Sequence, residues 1–442
     1  MSILRDLTGK LFGSTLSDAL TSRDAERMAR YRANLDFYNG ELYQQHPRTT
    51  RQRADEVREV FNYAQRLVEV TASKLVRGME FRVLPWAEMP EALASAERAR
   101  DALYDVYETE QLDIADYETA VDAAVLGDGC YTVRWDPRRQ RVRVLPVCVE
   151  GLWAWWRGDN FRDLYRVVQR YHLAGEEAEY WFGLRAQSAE VEIIEDWTAE
   201  TTTLYADGAQ VSRQPNPYGF LPYTIWPNLK RPKEFWGRAD VEIIRPVCQQ
   251  LNERLSTLMW LMRVSGNPVV LLEGVDSSRG IRVGPGEVWH IPPGARAQVL
   301  DLLGPVGEYH LRSIELLLGV LHDLSAVPRA ALGQSKAEAW RAMRLELDPL
   351  VDMVEVKRLI WGAMVRQRNW MILSVLERMT GAEYGSKRTQ VSFGPVLPED
   401  EGEVAAREVA LVGAGIHSRR TAALLTGIKD PEAELNRVRE ET

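Results

Sequence analysis

The chain has 442 residues, 45% of them hydrophobic and 27% charged, an ordinary balance for a folded protein with a sizeable core. At ~100–200 residues per domain this allows roughly two to four structural units. The formal net charge of −9 argues against wrapping duplex DNA by phosphate neutralisation, though not against a wall past which DNA slides.

No secretory leader is expected at the start, where Arg5 and Lys10 flank only a short apolar stretch. Residues 14–78 read as helical. Ser22 is positioned to cap a helix running to Tyr38, with Gly40 behind it. A second run from about Gln52 to Val76 carries Val57, Val60, Phe61, Ala64, Leu67, Val68, Thr71 and Leu75 at helical spacing. Residues 88–126 read as helical again, ending at Gly127. From there β-type runs follow at 130–135, 141–149, 152–156, 164–171 and 190–197, separated by turn signals such as Asp136-Pro137 and Asp207-Gly208. The antiparallel β region should last to about residue 227. A long helix is predicted from Arg238 to about Ser265, with Pro246 either kinking it or marking its true first turn. Its most apolar part, 258–264, is interrupted by Arg263, and no apolar run in the chain approaches the ~20 residues of a membrane span. A small β module (267–303) follows. Then come a helix from Val306 to Leu324, a linker at 329–335, and a long helix from about Lys336 to Met379 that Pro349 should kink. The chain ends with a short strand (389–394) and two helical stretches.

Catalytic signatures are missing. There is no Walker A loop, no H-E-x-x-H and no G-x-S-x-G elbow, so no enzyme activity and no cofactor are expected. Cys130, Cys148 and Cys248 and the six histidines are scattered, which argues against a metal site and fits a reducing compartment. The aromatic stretches Asn216–Asn228 and 152–156 suit base stacking, but an ordered connection packed on a sheet, and a core or interface strand, explain them more simply. The 14 tryptophans need burial in cores or interfaces. The helices flanking the β module carry Leu251, Leu255, Leu258, Met259 and Met262 on one, and Leu311, Ile314, Leu317, Leu318 and Leu321 on the other. Helices so apolar either sit deep in a monomer core or pack against copies of themselves.

Short elements then recur in a suggestive order. They are Phe37-Tyr38-Asn39-Gly40; Asn62 opening a helix that ends near Gly78; Gly127-Asp128-Gly129-Cys130-Tyr131; Gly219-Phe220-Leu221-Pro222 with Asn228; Gly237-Arg238-Ala239-Asp240-Val241-Glu242; Leu251-Asn252; Ser325-Ala326-Val327-Pro328; Gly415-Ile416-His417-Ser418-Arg419-Arg420-Thr421; and Asp430-Pro431-Glu432-Ala433-Glu434. Together they resemble the portal proteins of long-tailed phages, the family whose model member is a Bacillus phage portal, over nearly the whole chain. Ala239 stands where that family has serine, and Ser335-Lys336-Ala337-Glu338-Ala339 matches its S-G-x-A element only in part.

The resemblance implies an α+β portal-protein fold with a mixed wing (1–237), two stem helices (238–265 and 306–326) and a small β-type clip (266–305). A tunnel loop (327–340), a long kinked helix returning to the wing (341–394) and a helical crown (395–442) complete it. It also implies a homo-oligomeric ring, usually of twelve subunits, at one vertex of a virion. Duplex DNA would pass through without sequence specificity, with the terminase large subunit, a head–tail adaptor, and capsid and scaffolding proteins as partners and no membrane. Arg329, Gln334 and Lys336 become the expected DNA-contacting residues, and Arg279, Arg282, Trp289 and Arg296 the partner-binding ones. Gly219, Pro222, Asn228, Gly237, Asp240, Glu242 and Asn252 become structural. The alternatives are another viral head or adaptor protein, or a carboxylate-dependent hydrolase.

Overall fold

The computed structural model describes residues 16–41, 59–184, 189–265, 270–274, 293–299, 304–334, 340–397, 401–428 and 430–441, and these mix helix and sheet in an α+β arrangement. Helix α1 (Leu16–Arg23) is followed by α2 (Ala25–Tyr38). The break falls at Asp24, whose carboxylate accepts from Arg27 at 2.8 Å. Ser22 therefore lies inside α1 and does not cap the helix that reaches Tyr38. Of the helix expected from Gln52, residues 52–58 lie outside the described residues, and among the described ones helix α3 spans Tyr63–Leu75. Residues 59–62 are not helical, and two of their amides are taken elsewhere: Glu59 N donates to Ser256 Oγ (3.1 Å) and Phe61 N to Asn252 Oδ1 (2.9 Å). Asn62 caps α3 by accepting from Gln65 N at 3.2 Å, satisfying one of the free amides of the first turn.

Strand β1 (Glu80–Val83) precedes α4 (Pro90–Thr109) and α5 (Leu112–Leu126), two helices where one stretch was expected over 88–126. The chain turns at Gln111, which takes φ +50°, and Glu110 thereby meets Arg143 (2.9 Å) and Arg141 (3.4 Å). Gly127, at φ +107°, ends α5 and gives its N–H to Ala123 O at 2.8 Å, a left-handed stop that glycine adopts without strain.

Two antiparallel sheets follow. Strands β2 (Asp128–Asp136), β3 (Arg141–Pro146) and β9 (Tyr223–Pro227) form one in the order β3-β2-β9. Strands β4 (Leu152–Arg157), β5 (Asn160–Ala174), β6 (Glu190–Thr198), β7 (Thr201–Ala206) and β8 (Ala209–Pro215) form the other in sequence order. Helix α6 (Gly175–Phe182) follows β5. The Asn216–Asn228 stretch is a connection only in its first half, since Tyr223–Pro227 joins the sheet as an edge strand paired with β2.

Helix α7 (Asp240–Ser265) contains Pro246 within it. Strands β10 (Val270–Glu273) and β11 (Arg296–Val299) pair antiparallel, with Glu273 opposite Arg296. Helix α8 (Gly304–Ser325) packs along α7. A 3₁₀ turn (Arg329–Leu332) leads towards α9 (Trp340–Thr380), which carries Pro349. Strand β12 (Thr389–Ser392) pairs with β1, and α10 (Glu401–Gly413), α11 (Arg419–Leu425) and α12 (Pro431–Glu441) end the chain. Three helices stand where two were expected, because Gly427 and Asp430-Pro431 split the last stretch.

The main core is continuous from Leu20 to Val396, and α9 runs through it with Trp361, Val365, Ile372 and Leu373 buried. Among the described residues one charge pair lies fully inside. Arg368 of α9 grips Asp116 of α5 with two bonds (2.5 and 2.9 Å), Tyr131 donates to Asp116 (2.9 Å), and Arg368 donates to Tyr107 (2.9 Å). Removing one partner strands a buried charge. Arg368→Met is expected to cost ~3–5 kcal/mol, and the pair Arg368→Met with Asp116→Leu distinctly less. Urea unfolding of the three proteins checks this.

Candidate functional site

The residues singled out by their motifs converge where α7 leaves the folded body. Asn228 Nδ2 donates to Asp240 Oδ1 (2.9 Å) and to Arg238 O (3.1 Å), while Lys357 of α9 donates to Asn228 Oδ1 (3.0 Å) and to the other oxygen of Asp240. Lys357 and Asn228 are buried. Asp128, at the start of β2, accepts from Gly237 N (2.7 Å) and from the Tyr31 hydroxyl (2.5 Å). A Cβ on Gly237 would sit 2.3 Å from Gly127 O and 2.7 Å from Pro227 Cβ, so only glycine lets the two chain segments approach. Glu242, in the first turn of α7, pairs with Arg231, lies 3.5 Å from Arg30, and accepts from Ala239 N at 3.3 Å. A carboxylate here also suits the positive end of the helix.

The remaining motif residues act nearby but apart. Asn252 lies about three turns further along α7 and accepts from Phe61 N. Gly219 takes φ +69° beneath the Arg378 guanidinium, and Pro222 O accepts from Val133 N at 2.9 Å. The motifs left Lys357 unmarked, and also Tyr31. A lone lysine in a long helix carries no spacing signal that would pick it out, whereas Asp128 lies in a quoted motif.

Burial pushes the Asp128 carboxyl up to about 6, against the lowering effect of the Tyr31 and Gly237 hydrogen bonds and the nearby arginines. Its role is to bind the α2 tyrosine to the Gly237 turn, which places the start of α7.

The α7–α8 pair buries part of its apolar surface and leaves other large apolar residues open. Leu251, Ile314 and Leu321 are buried between elements of the chain. Met262 (55%), Leu311 (53%), Leu316 (68%) and Tyr309 (73%) remain exposed. Large apolar residues left exposed along two packed helices mark a candidate interaction surface.

At the far end of α8, His322 Nδ1 lies 2.7 Å from Val327 O, and Ala326 takes φ +53°. Arg329 opens the 3₁₀ turn and is exposed. Gln334 is exposed too, its N–H donating to Arg329 O at 3.0 Å. Arg296 is exposed on β11. Lys336, Arg279, Arg282 and Trp289 lie outside the described residues. The structure thus places Arg329 and Gln334 on one short loop but does not bring Arg296 to them.

Among the described residues, no three His, Cys, Asp or Glu side chains gather as metal ligands, and no helix is long and apolar enough to cross a membrane. No family model and no curated protein matches the chain.

The raised Asp128 makes stability depend on pH. Its folded value lies above its ordinary one of 3.8, so its contribution is full below about pH 4 and is lost as pH rises through about 6. Relative to Asp128→Asn, the natural protein should therefore gain stability, by ~3 kcal/mol at most, as pH falls from about 7 to about 4. Paired urea titrations at the two pH values measure it, and equal shifts in both proteins would refute the assignment.

Proposed function

We propose that this chain is one subunit of a phage portal ring, the conduit through which duplex DNA enters and leaves a viral head. The observation that carries the reading is the α7–β10/β11–α8 unit. Its two helices share a buried seam and keep Met262, Leu311 and Leu316 facing outwards. In a cyclic assembly each such face meets a different face of the next copy, and the interfaces close without a free end. The order of the sequence motifs supports the same reading. In it, α7 and α8 are the stem, the β10/β11 end meets the terminase and later the head–tail adaptor, and the loop around Arg329 narrows the channel. Capsid and scaffolding proteins would surround the ring, and the chain itself would perform no catalytic step.

Electrostatics give the conduit its mechanism. Duplex DNA carries one charge per about 1.7 Å of axis, and dense Lys and Arg would hold it through counterion release. A chain of net charge −9 avoids that trap. Arg329, Gln334 and Lys336 then make sparse contacts to the phosphate backbone and read no sequence.

The double variant Arg329→Ala with Lys336→Ala is expected to assemble into rings of unchanged mass by native mass spectrometry, yet to alter the amount of DNA packaged or retained. Normal packaging and retention in that variant would overturn the contact role. A chain that stays monomeric at all concentrations would overturn the portal reading itself.

A further inference from the structure

Beside β9 lies an open groove of about 1110 Å³. Phe161, Phe235 and Leu359 supply its apolar wall, and Leu359 is 75% exposed. Phe235 is set in place by stacking on Trp156 at 4.7 Å. Arg162, Lys230 and Arg366 line the groove against one acid, Asp159, so its charge is positive. All three basic residues are exposed. Among the described residues nothing fills the groove.

An acidic, apolar ridge occurs elsewhere on the same chain. On α4, Leu93, Glu97, Tyr104 and Glu108 follow at intervals of four, seven and four residues, which puts them on one face. All four are exposed, while Ala92, Ala96, Ala99 and Leu103 on the other side are buried. Residues 88–110 contain seven acids and two arginines, and two of those acids are already bound, Asp101 by Arg100 at 2.9 Å and Glu110 by Arg143 at 2.9 Å.

The two surfaces lie on opposite sides of α9. Ile360 faces the groove. Asn369, nine residues along and so about two and a half turns round, accepts from Tyr107 of α4 at 2.7 Å. A ridge and a groove that face away from each other on one chain cannot meet within it. They can meet between successive copies, in a heterologous contact that closes into a ring.

We infer that the basic groove beside β9 seats the acidic α4 ridge of the adjacent copy, as a second intersubunit contact outside the α7–α8 pair. The inference rests on the ring reading above. It assigns this contact to opposite charges bordering an apolar centre, so it should weaken with salt.

The test uses the full chain and reads the concentration at which half of it is assembled, by native mass spectrometry and sedimentation. Arg162→Glu with Arg366→Glu should raise that concentration at least about tenfold, the worth of one close interfacial charge pair. Glu97→Lys with Glu108→Lys should do the same, and the four changes together should restore much of the loss. Unchanged thermal unfolding of each unassembled variant confirms that the fold is intact. If the natural protein forms rings and the groove reversal assembles as well as it does, the groove is not the seat, though the ring stands. Failure of the fourfold variant to recover overturns the pairing of ridge with groove. If the natural protein forms no ring, the portal reading fails and this contact fails with it.

Discussion

The architecture depends on how α7 is fixed where it leaves the body. Asp240 is held from one side by Asn228, on the chain just after β9, and from the other by Lys357 of α9. The preceding turn is tied to β2 and α2 through Asp128, whose two oxygens accept from Gly237 N and the Tyr31 hydroxyl. Four elements distant in sequence thus fix one helix start. The direction of a 26-residue helix follows from its first turn, and so does the position of everything at its far end. A small tilt at Asp240 would be magnified along that length.

Elsewhere buried charge is again held by opposite charge and hydrogen bonds from distant elements. Burial alone would push the Glu195 carboxyl up, but Arg134 at 2.7 Å, with hydrogen bonds from Tyr171 (2.6 Å) and Trp197 (2.9 Å), holds it below the usual glutamate value. Arg134 spans from β2 to β6, and so joins the two sheets. Arg368 and Asp116 do the same between α9 and α5. Buried ion pairs contribute little net stability compared with apolar packing, but they tolerate only one geometry.

Much of this was legible in the sequence. Long runs with helical periodicity gave α7, α8 and α9 to within a few residues at most ends, and β-branched or aromatic runs marked β2 to β6. Glycine and proline marked the stops, Gly127 most clearly. The misses have physical causes. Strands β7 and β8 are rich in Thr, Gln and Ser, and offered no apolar alternation beyond the Asp207-Gly208 turn between them. Residues 59–62 fall outside helix α3, and tertiary bonds from Ser256 and Asn252 hold the amides of Glu59 and Phe61. Asp24 displaced Ser22 at the helix break, a choice of one polar residue over another two positions away. Of the motif residues, Asn228, Gly237, Asp240 and Glu242 proved to be neighbours. Lys357, on which two of them depend, could not be chosen from sequence because its partners lie more than a hundred residues away.

We propose that the exposed apolar residues of α7 and α8 are sites of self-association around a channel. Electron-microscope imaging of the purified full chain, to side-chain detail, tests it most directly. The expected result is a closed ring with Met262, Leu311 and Leu316 buried against neighbouring copies, α7 and α8 lining a hole wide enough for duplex DNA, and the Arg329 loop at its narrowest point. A ring built through other surfaces, with those three residues still in water, or particles with no central hole, would contradict it.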